Sequence, residues 1–570
     1  MTSTARLPVV LLWHMHQPEY RDALTGQYVL PWTYLHAIKD YTDMAAHLEA
    51  NPDARAVFNF TPVLLEQIES LAQAVAEHLR SGQPLPDPVL SLLGPDPVPA
   101  EPAARLASLR VCLRAQRKQM IERFGPYLEL ASIADTLATP ERVSYASDQF
   151  IHDLAVWYHL AWVGETVRRT DALVSRLTEQ GRGFTGGQRR ELLALIGNLL
   201  SSIVPRYRRL SERGQCELSV TPYGHPIVPL LLDFQSAREA MPNLPLPRYA
   251  AYPGGAERAD WHVKEGLRLF AQTFGMRPSG CWPSEGAVSR ATLELLDGAG
   301  FKWVASSANV LHGALQRTGA QAGQAVRDPQ AFNRPYRLAD ASLTQFFRED
   351  TLSDLIGFTY ATWHGDDAAH NLVDALSQLA HQYSGIPGHA VLIALDGENA
   401  WEHYPFNGYY FLRALYTLLA AHPQLELTTL GDCVSRGLMP ITLPQLMAGS
   451  WVHGTLTTWM GDPAKNRAWD LLCEAKIAFD AVMASGALDA QAQRAAERQL
   501  ALCESSDWFW WFGDYNPAEA VGQFDALFRR QLSRLYEQLG RAPPAALAEP
   551  IATGGGSPEH GGVMRRSYAS

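Results

Sequence analysis

The 570 residues carry 48 Lys and Arg against 59 Asp and Glu, a formal charge of -11, with 47% apolar and 19% charged side chains. That is a globular composition with room for more than one core. It excludes a surface built to neutralise nucleic-acid phosphates or to bind an anionic membrane, both of which need dense basic runs. The six cysteines (Cys112, Cys216, Cys281, Cys433, Cys473, Cys503) stand singly, with no Cys-x-x-Cys pair, and read as reduced thiols.

In chain order, Leu7 to Trp13 is a continuous apolar run, the pattern of a strand buried on both faces of a parallel sheet. It is too short for a membrane span and lacks a cleavage site, so the expected location is the cytoplasm. Similar runs recur at Ala56 to Phe60, Cys216 to Thr221, Gly280 to Trp282, Trp303 to Ser306, Thr344 to Phe347, His389 to Leu395 and Leu425 to Thr429. Helical periodicity fills the gaps, so strand and helix alternate through residues 1–440: an α/β chain, either a barrel or a doubly wound sheet. A proline-rich piece and a strand-free helical region together form an insertion at about 82–211. Residues 441–540 read as a C-terminal helical domain. Residues 541–570, glycine- and proline-rich with little apolar content, are expected to be an unordered tail.

In a parallel barrel the chemistry belongs just after the C-terminal ends of strands. Four polar clusters fall there. Trp13-His14-Met15-His16-Gln17-Pro18 ends the first strand, with His14 and His16 on one side of an extended backbone. Glu217 lies in the third strand run, where a buried carboxylate needs a partner or a job, and the chain turns off that strand through Tyr223 and His225. Trp282-Pro283-Ser284-Glu285 follows the fourth run. The apolar run ending at Leu395 delivers Asp396-Gly397-Glu398-Asn399, then Trp401. A further segment, Asp507-Trp508-Phe509-Trp510-Trp511, is dense enough in indole to suggest a sugar-stacking platform. Glu285 and Asp396, on different strands but one rim, suit retaining glycoside hydrolysis. One carboxylic acid protonates the leaving oxygen and a carboxylate about 5–5.5 Å away attacks the anomeric carbon. The residues alone leave open which is which.

Taken in order, these five segments resemble the five sequence regions of glycoside hydrolase family 57, and they span residues 13 to about 514. The wording of Thr221-Pro222-Tyr223-Gly224-His225-Pro226 and Asp396-Gly397-Glu398-Asn399 is most similar to the amylopullulanase and α-amylase branch. The resemblance implies an incomplete (β/α)7 TIM-like barrel with a C-terminal helical domain, and a retaining mechanism on α-glucans such as starch, glycogen or maltodextrin. It implies Glu285 as nucleophile and Asp396 as general acid/base. His14, His16, Glu217, Tyr223, His225, Trp282, Glu398, Trp401, Asp507 and Trp508 are then the candidate substrate-binding residues, with no metal or cofactor required.

Three alternatives stay open. A branching enzyme or 4-α-glucanotransferase shares the glycosyl-enzyme intermediate and differs in what intercepts it. A metal-dependent hydrolase would use His14 and His16, completed by His225, His403 or His453. A glucan-binding protein without catalysis is the third, and the presence of both Glu285 and Asp396 speaks against it.

Overall fold

The computed structural model describes residues 6–317 and 329–567. Its strands, in chain order, are β1 (Leu7–Met15), β2 (Ala56–Phe60), β3 (Cys216–Val220), β4 (Gly280–Cys281), β5 (Trp303–Ser307), β6 (Tyr336–Leu338), β7 (Thr344–Arg348), β8 (Val391–Asp396), β9 (Leu425–Leu427) and β10 (Ile441–Leu443). Seven of them close a parallel ring in the order β1, β2, β3, β4, β5, β7, β8 and back to β1. This is the incomplete (β/α)7 TIM-like barrel. Two seams rest on a single register pair: β3–β4, where Val220 faces Cys281, and β7–β8, where Arg348 faces Leu392 and the Glu349 amide donates to the Leu392 carbonyl at 2.7 Å. Short β6 pairs antiparallel with β7, β10 extends from β6, and β9 flanks the start of β1.

Side chains alternate across each strand, and this sets what faces the barrel axis. Val10 and Leu12 of β1, Val57 of β2, Trp303 and Ala305 of β5, Phe346 of β7, and Leu392 and Ala394 of β8 form one interior cluster. Val9, Leu11, Trp13 and Met15 face outward into the larger core beneath the helices. One step further along the inward rows, β1 presents His14 and β8 presents Asp396, and these two are register partners. His14 is also level with Asn59, and Asn59 with Ser219. The parallel register thus brings the polar ends of β1, β2, β3 and β8 to one height.

The lower end of the axis is closed by Trp303. Gly280 allows it, because a Cβ there would stand 1.7 Å from the indole ring. Glu217, the inward residue at the start of β3, accepts from Ser279 Oγ at 2.5 Å, Trp303 Nε1 at 2.7 Å and the Gly431 amide at 2.8 Å. Four residues of strand, about 13 Å, separate it from Thr221 at the rim.

Between β2 and β3 the chain builds a strand-free helical insertion that ends in the helix Gly186–Glu212. A Thr185–Gln188 capping box starts that helix, and it packs on helix Pro62–Ser81. Helices Pro463–Ser485, Ala490–Cys503, Ser506–Trp511 and Ala518–Gln538 make up the C-terminal helical region. Among the described residues no helix is long and apolar enough to cross a membrane. All six cysteines are buried free thiols.

The stretch expected to be an unordered tail is instead packed as far as Ser567. The amides of Gly555 and Gly556 donate to the Asn516 carbonyl, Trp510 Nε1 donates to the Gly562 carbonyl at 2.9 Å, and the Ser567 amide donates to Asp354 at 2.8 Å. Low apolar content does not leave this segment free, because tertiary hydrogen bonds and close glycine approaches order it. A Cβ on Gly556 would lie 2.0 Å from the Tyr515 carbonyl.

Candidate active site

A cavity of about 460 Å³ opens at the C-terminal end of the barrel strands. His14 and His16 line it from β1 and the turn beyond, Glu285 from the loop after β4, and Asp396 and Glu398 from the end of β8. His225 comes from the turn after β3, and Asp507 from the helix Ser506–Trp511.

Glu285 sits in a single 3-10 turn, Ser284–Gly286, with φ 59 and ψ 23. A non-glycine residue in the left-handed region costs about 1–3 kcal/mol and persists only where its surroundings hold it. Two bonds from Trp451 do so: its amide donates to the Glu285 carbonyl at 3.0 Å and its indole Nε1 to Glu285 Oε2 at 2.8 Å. Burial, then the charge of Asp396, pushes the Glu285 carboxyl up to about 8, against the Trp451 bond. Asp396 rises to about 6, mainly through burial, and is held down by the Asn399 amide at 3.0 Å and by His16 and Arg348. Both carboxyls are shifted upward, and groups this strongly coupled titrate as a pair.

The imidazoles form a directed chain. Asn59 Oδ1 accepts from Thr221 and faces His14 Nδ1 at 2.7 Å, so the proton on His14 belongs on Nδ1. His14 Nε2 then accepts from His225 Nε2 at 3.0 Å, and His225 Nδ1 accepts from Ser506 at 2.7 Å. This pattern needs both rings neutral. Burial, reinforced by the neighbouring histidines, pushes His14 down to about 3 and His225 well below the ordinary range. His16 stacks on His225 at 3.7 Å and binds Asp507 at 2.9 and 3.0 Å. Ligand atoms of His16, His225 and Asp507 lie within 4.8 Å of one another. Each has hydrogen-bond partners of its own: His14 and Ser506 for His225, Thr61 and Asp507 for His16, and Ser505 and His16 for Asp507. Neither His403 nor His453 joins them. Glu398 Oε1 accepts from the His16 amide at 3.1 Å and from Gln17, while Oε2 has no protein partner. Burial and then the charge of Asp396 push its carboxyl well up from the ordinary carboxylate range.

Of the twelve residues singled out from the sequence, seven line this cavity: Glu285, Asp396, His14, His16, His225, Glu398 and Asp507. Five do not. Glu217 is at the opposite end of β3, tied to Ser279, Trp303 and Gly431. Tyr223 is buried, with its hydroxyl on Glu66 at 3.1 Å and the Arg498 guanidinium over its ring. Trp282 is buried between His14 and Trp451. Trp401 is packed on Trp13 and donates to the Gly397 carbonyl. Trp508 points into the helical region, donating to the Leu502 carbonyl. The aromatic wall comes instead from Trp510 and Trp511 on the same short helix, and from Trp32 and Trp162, whose rings are 5.9 Å apart. Trp510 and Trp511 stood in the quoted motif, but helix phase decides which indole faces the cleft. Nothing local marks Trp32 and Trp162, nor His560, Gly561 and Val563, which complete the wall from the C-terminal segment.

The model of Glycosyl hydrolase family 57 matches residues 10–440. The fold is similar to that of a branching enzyme from Pyrococcus horikoshii (TM-score 0.58, 14% identity, 99% of each chain covered) and one from Thermococcus kodakaraensis (0.58, 15%, 93% of this chain and 90% of that one). It is similar as well to the α-amylase AmyC from Thermotoga maritima, with a TM-score of 0.56 and 14% identity over 95% of this chain and 96% of that one. A family match over most of the chain, with two half-buried carboxylates at the rim of a seven-stranded barrel, leads to one statement: the protein belongs to glycosyl hydrolase family 57 and is a glycoside-active enzyme.

Proposed function

We propose that the protein is a retaining α-glucan hydrolase that cleaves α-1,4-glucosidic bonds, and possesses the groups to act on α-1,6 bonds by the same chemistry. The observation that carries this reading is the pairing of Glu285 and Asp396 on the wall of one cavity. In the first step Asp396 gives its proton to the glycosidic oxygen while Glu285 attacks C1, so the C1–O bond breaks and a glycosyl ester on Glu285 forms. In the second step Asp396 takes a proton from water, the resulting hydroxide oxygen bonds to C1, and Glu285 leaves as carboxylate. The productive form therefore has Glu285 ionised and Asp396 protonated. Trp451 Nε1 donating to Glu285 Oε2 supports the ionised form and leaves Oε1 for attack. Glycosidic oxygen placed beside Asp396 gives its proton an acceptor only there. Negative charge from Glu285 and Asp507 suits an oxocarbenium-like transition state.

A second reading is transfer to a sugar hydroxyl, supported by the two branching enzymes among the similar folds. Incubation with amylose, maltooligosaccharides and pullulan separates the two. Hydrolysis releases reducing ends in proportion to bonds cleaved. A constant number of reducing ends with new chain lengths or new branches establishes transfer. Glu285→Gln abolishes either activity, and unchanged turnover in that variant overturns both readings.

A further inference from the structure

One wall of the main cavity plays no part in the bond-breaking step. Trp32 and His36, four residues apart on the helix Trp32–His36 and so on one face of it, both line the cavity, and the ring of Trp162 lies 5.9 Å from the first and 5.3 Å from the second. Behind His36 is a fully buried anchor. Asp40 Oδ2 accepts from His36 Nδ1 at 2.7 Å, and Asp40 Oδ1 accepts from Lys39 Nζ at 2.6 Å. Both residues sit in a π-helical turn, Ala37–Tyr41, a rare form that recurs at functional sites. Lys39 Nζ also lies 5.1 Å over the Trp162 ring and donates to Asn407 Oδ1 at 3.1 Å. Phe406 and Asn407 both have φ 55, a strained conformation that needs neighbours to hold it, and Asn407 has them in Lys39 and, through its Nδ2, in Asp43 Oδ2 at 3.0 Å. One buried carboxylate thus braces an imidazole, an indole and the loop after β8 together.

We infer that this wall is a sugar subsite apart from the one at the cleaved bond, in which His36 Nε2 accepts a hydrogen bond from a hydroxyl of a glucosyl residue lying against Trp32. This rests on the α-glucan substrate proposed above. The bond to Asp40 fixes the proton of His36 on Nδ1, which makes Nε2 the acceptor, and Nε2 has no hydrogen-bond partner among the described residues. Trp32 is the half-buried ring of this wall and offers an apolar surface to a pyranose, whereas Trp162 is buried and serves as backing. The hydrogen bonds of His36, Asp40 and Lys39 run to one another and to Asn407, and among the described residues none reaches Glu285 or Asp396. A cavity of about 460 Å³ is sized for a ligand larger than one hexose. His36 therefore acts on chain length and not on the bond being cut.

The test uses the full chain and the maltooligosaccharides from maltotriose to maltoheptaose, reading kcat/KM for total turnover, by water or by transfer. In the parent kcat/KM rises with length at the step where a glucosyl residue reaches His36. His36→Phe keeps a ring against Trp162 and removes the acceptor, so kcat/KM falls about tenfold on maltoheptaose and by no more than about twofold on maltotriose, with the loss carried by KM. His36→Gln can donate to Asp40 through its amide and offer Oε1 to the sugar, and stays within about threefold of the parent on maltoheptaose. An equal fall at every length is the mark of a structural role and overturns the inference, as does a Gln variant that falls as far as the Phe variant. A parent profile flat from maltotriose to maltoheptaose overturns it without any variant having to fold. Absence of glucan turnover in the parent refutes the proposed function, whereas turnover with the same ratio of long to short substrates in His36→Phe and the parent refutes this inference alone.

Discussion

Glu217 and Glu285 are both half-buried carboxylates of barrel strands or the loops after them, and desolvation pushes both upward. Their surroundings differ. Three donors converge on Glu217 at the lower end of the barrel, so its oxygens are spent on holding β3, β5 and the segment at Gly431 together. Glu285 has one side-chain donor, a left-handed backbone and a face on the cavity. A saturated buried acid is a tie between elements; an under-satisfied one at a rim is available for chemistry.

Amide substitution breaks the comparison most sharply. Glu285→Gln lowers glucan turnover by more than about 1,000-fold with the fold retained, measured by kcat on amylose and a thermal melt. At Glu217 the effect moves from rate to stability. Glu217→Leu strands three buried donors and costs about 3–5 kcal/mol in denaturant unfolding, while kcat of the folded fraction changes by less than about threefold. Smaller is the pH-dependent part. Because the folded Glu285 carboxyl titrates at about 8, above its unfolded value, its contribution to stability is present in acid and is lost as pH rises toward and through 8. Glu285→Gln is therefore more stable than the parent at pH 9, by on the order of 1–3 kcal/mol, and equal to it at pH 4, in urea titrations at the two pH values. Trp451→Phe removes only the indole donor and lowers kcat about tenfold. Least is expected of Tyr223→Phe: about 1 kcal/mol of stability from the lost bond to Glu66, with KM for maltooligosaccharides unchanged.

Much of the barrel was legible because a strand buried on both faces must be an unbroken apolar run. Leu7–Met15, Ala56–Phe60 and Trp303–Ser307 declare themselves through their apolar openings, before His14, Asn59 and Ser306 turn the strand ends polar. Tyr336–Leu338 and Ile441–Leu443 do not, since three residues hold too little pattern. Height along a strand was harder. Glu217 and Asp396 both belong to inward rows, but one starts its strand and the other ends it, and only the end reaches the cavity. Which indoles of Asp507-Trp508-Phe509-Trp510-Trp511 face the substrate depends on the docking of one short helix. The packed C-terminal segment was invisible for a different reason. Its order comes from acceptors and rings over 150 residues away, such as Asp354, and from Trp510 and Asn516, not from anything within its own glycines.

The indole of Trp303, wedged against Gly280 across the lower axis, makes the barrel a blind vessel with one mouth. Substrate therefore arrives and product leaves on the one face that Trp510, Trp511 and the C-terminal segment line. Traffic at that single doorway, and not passage through the molecule, then decides how long a glucan stays within reach of a second cut.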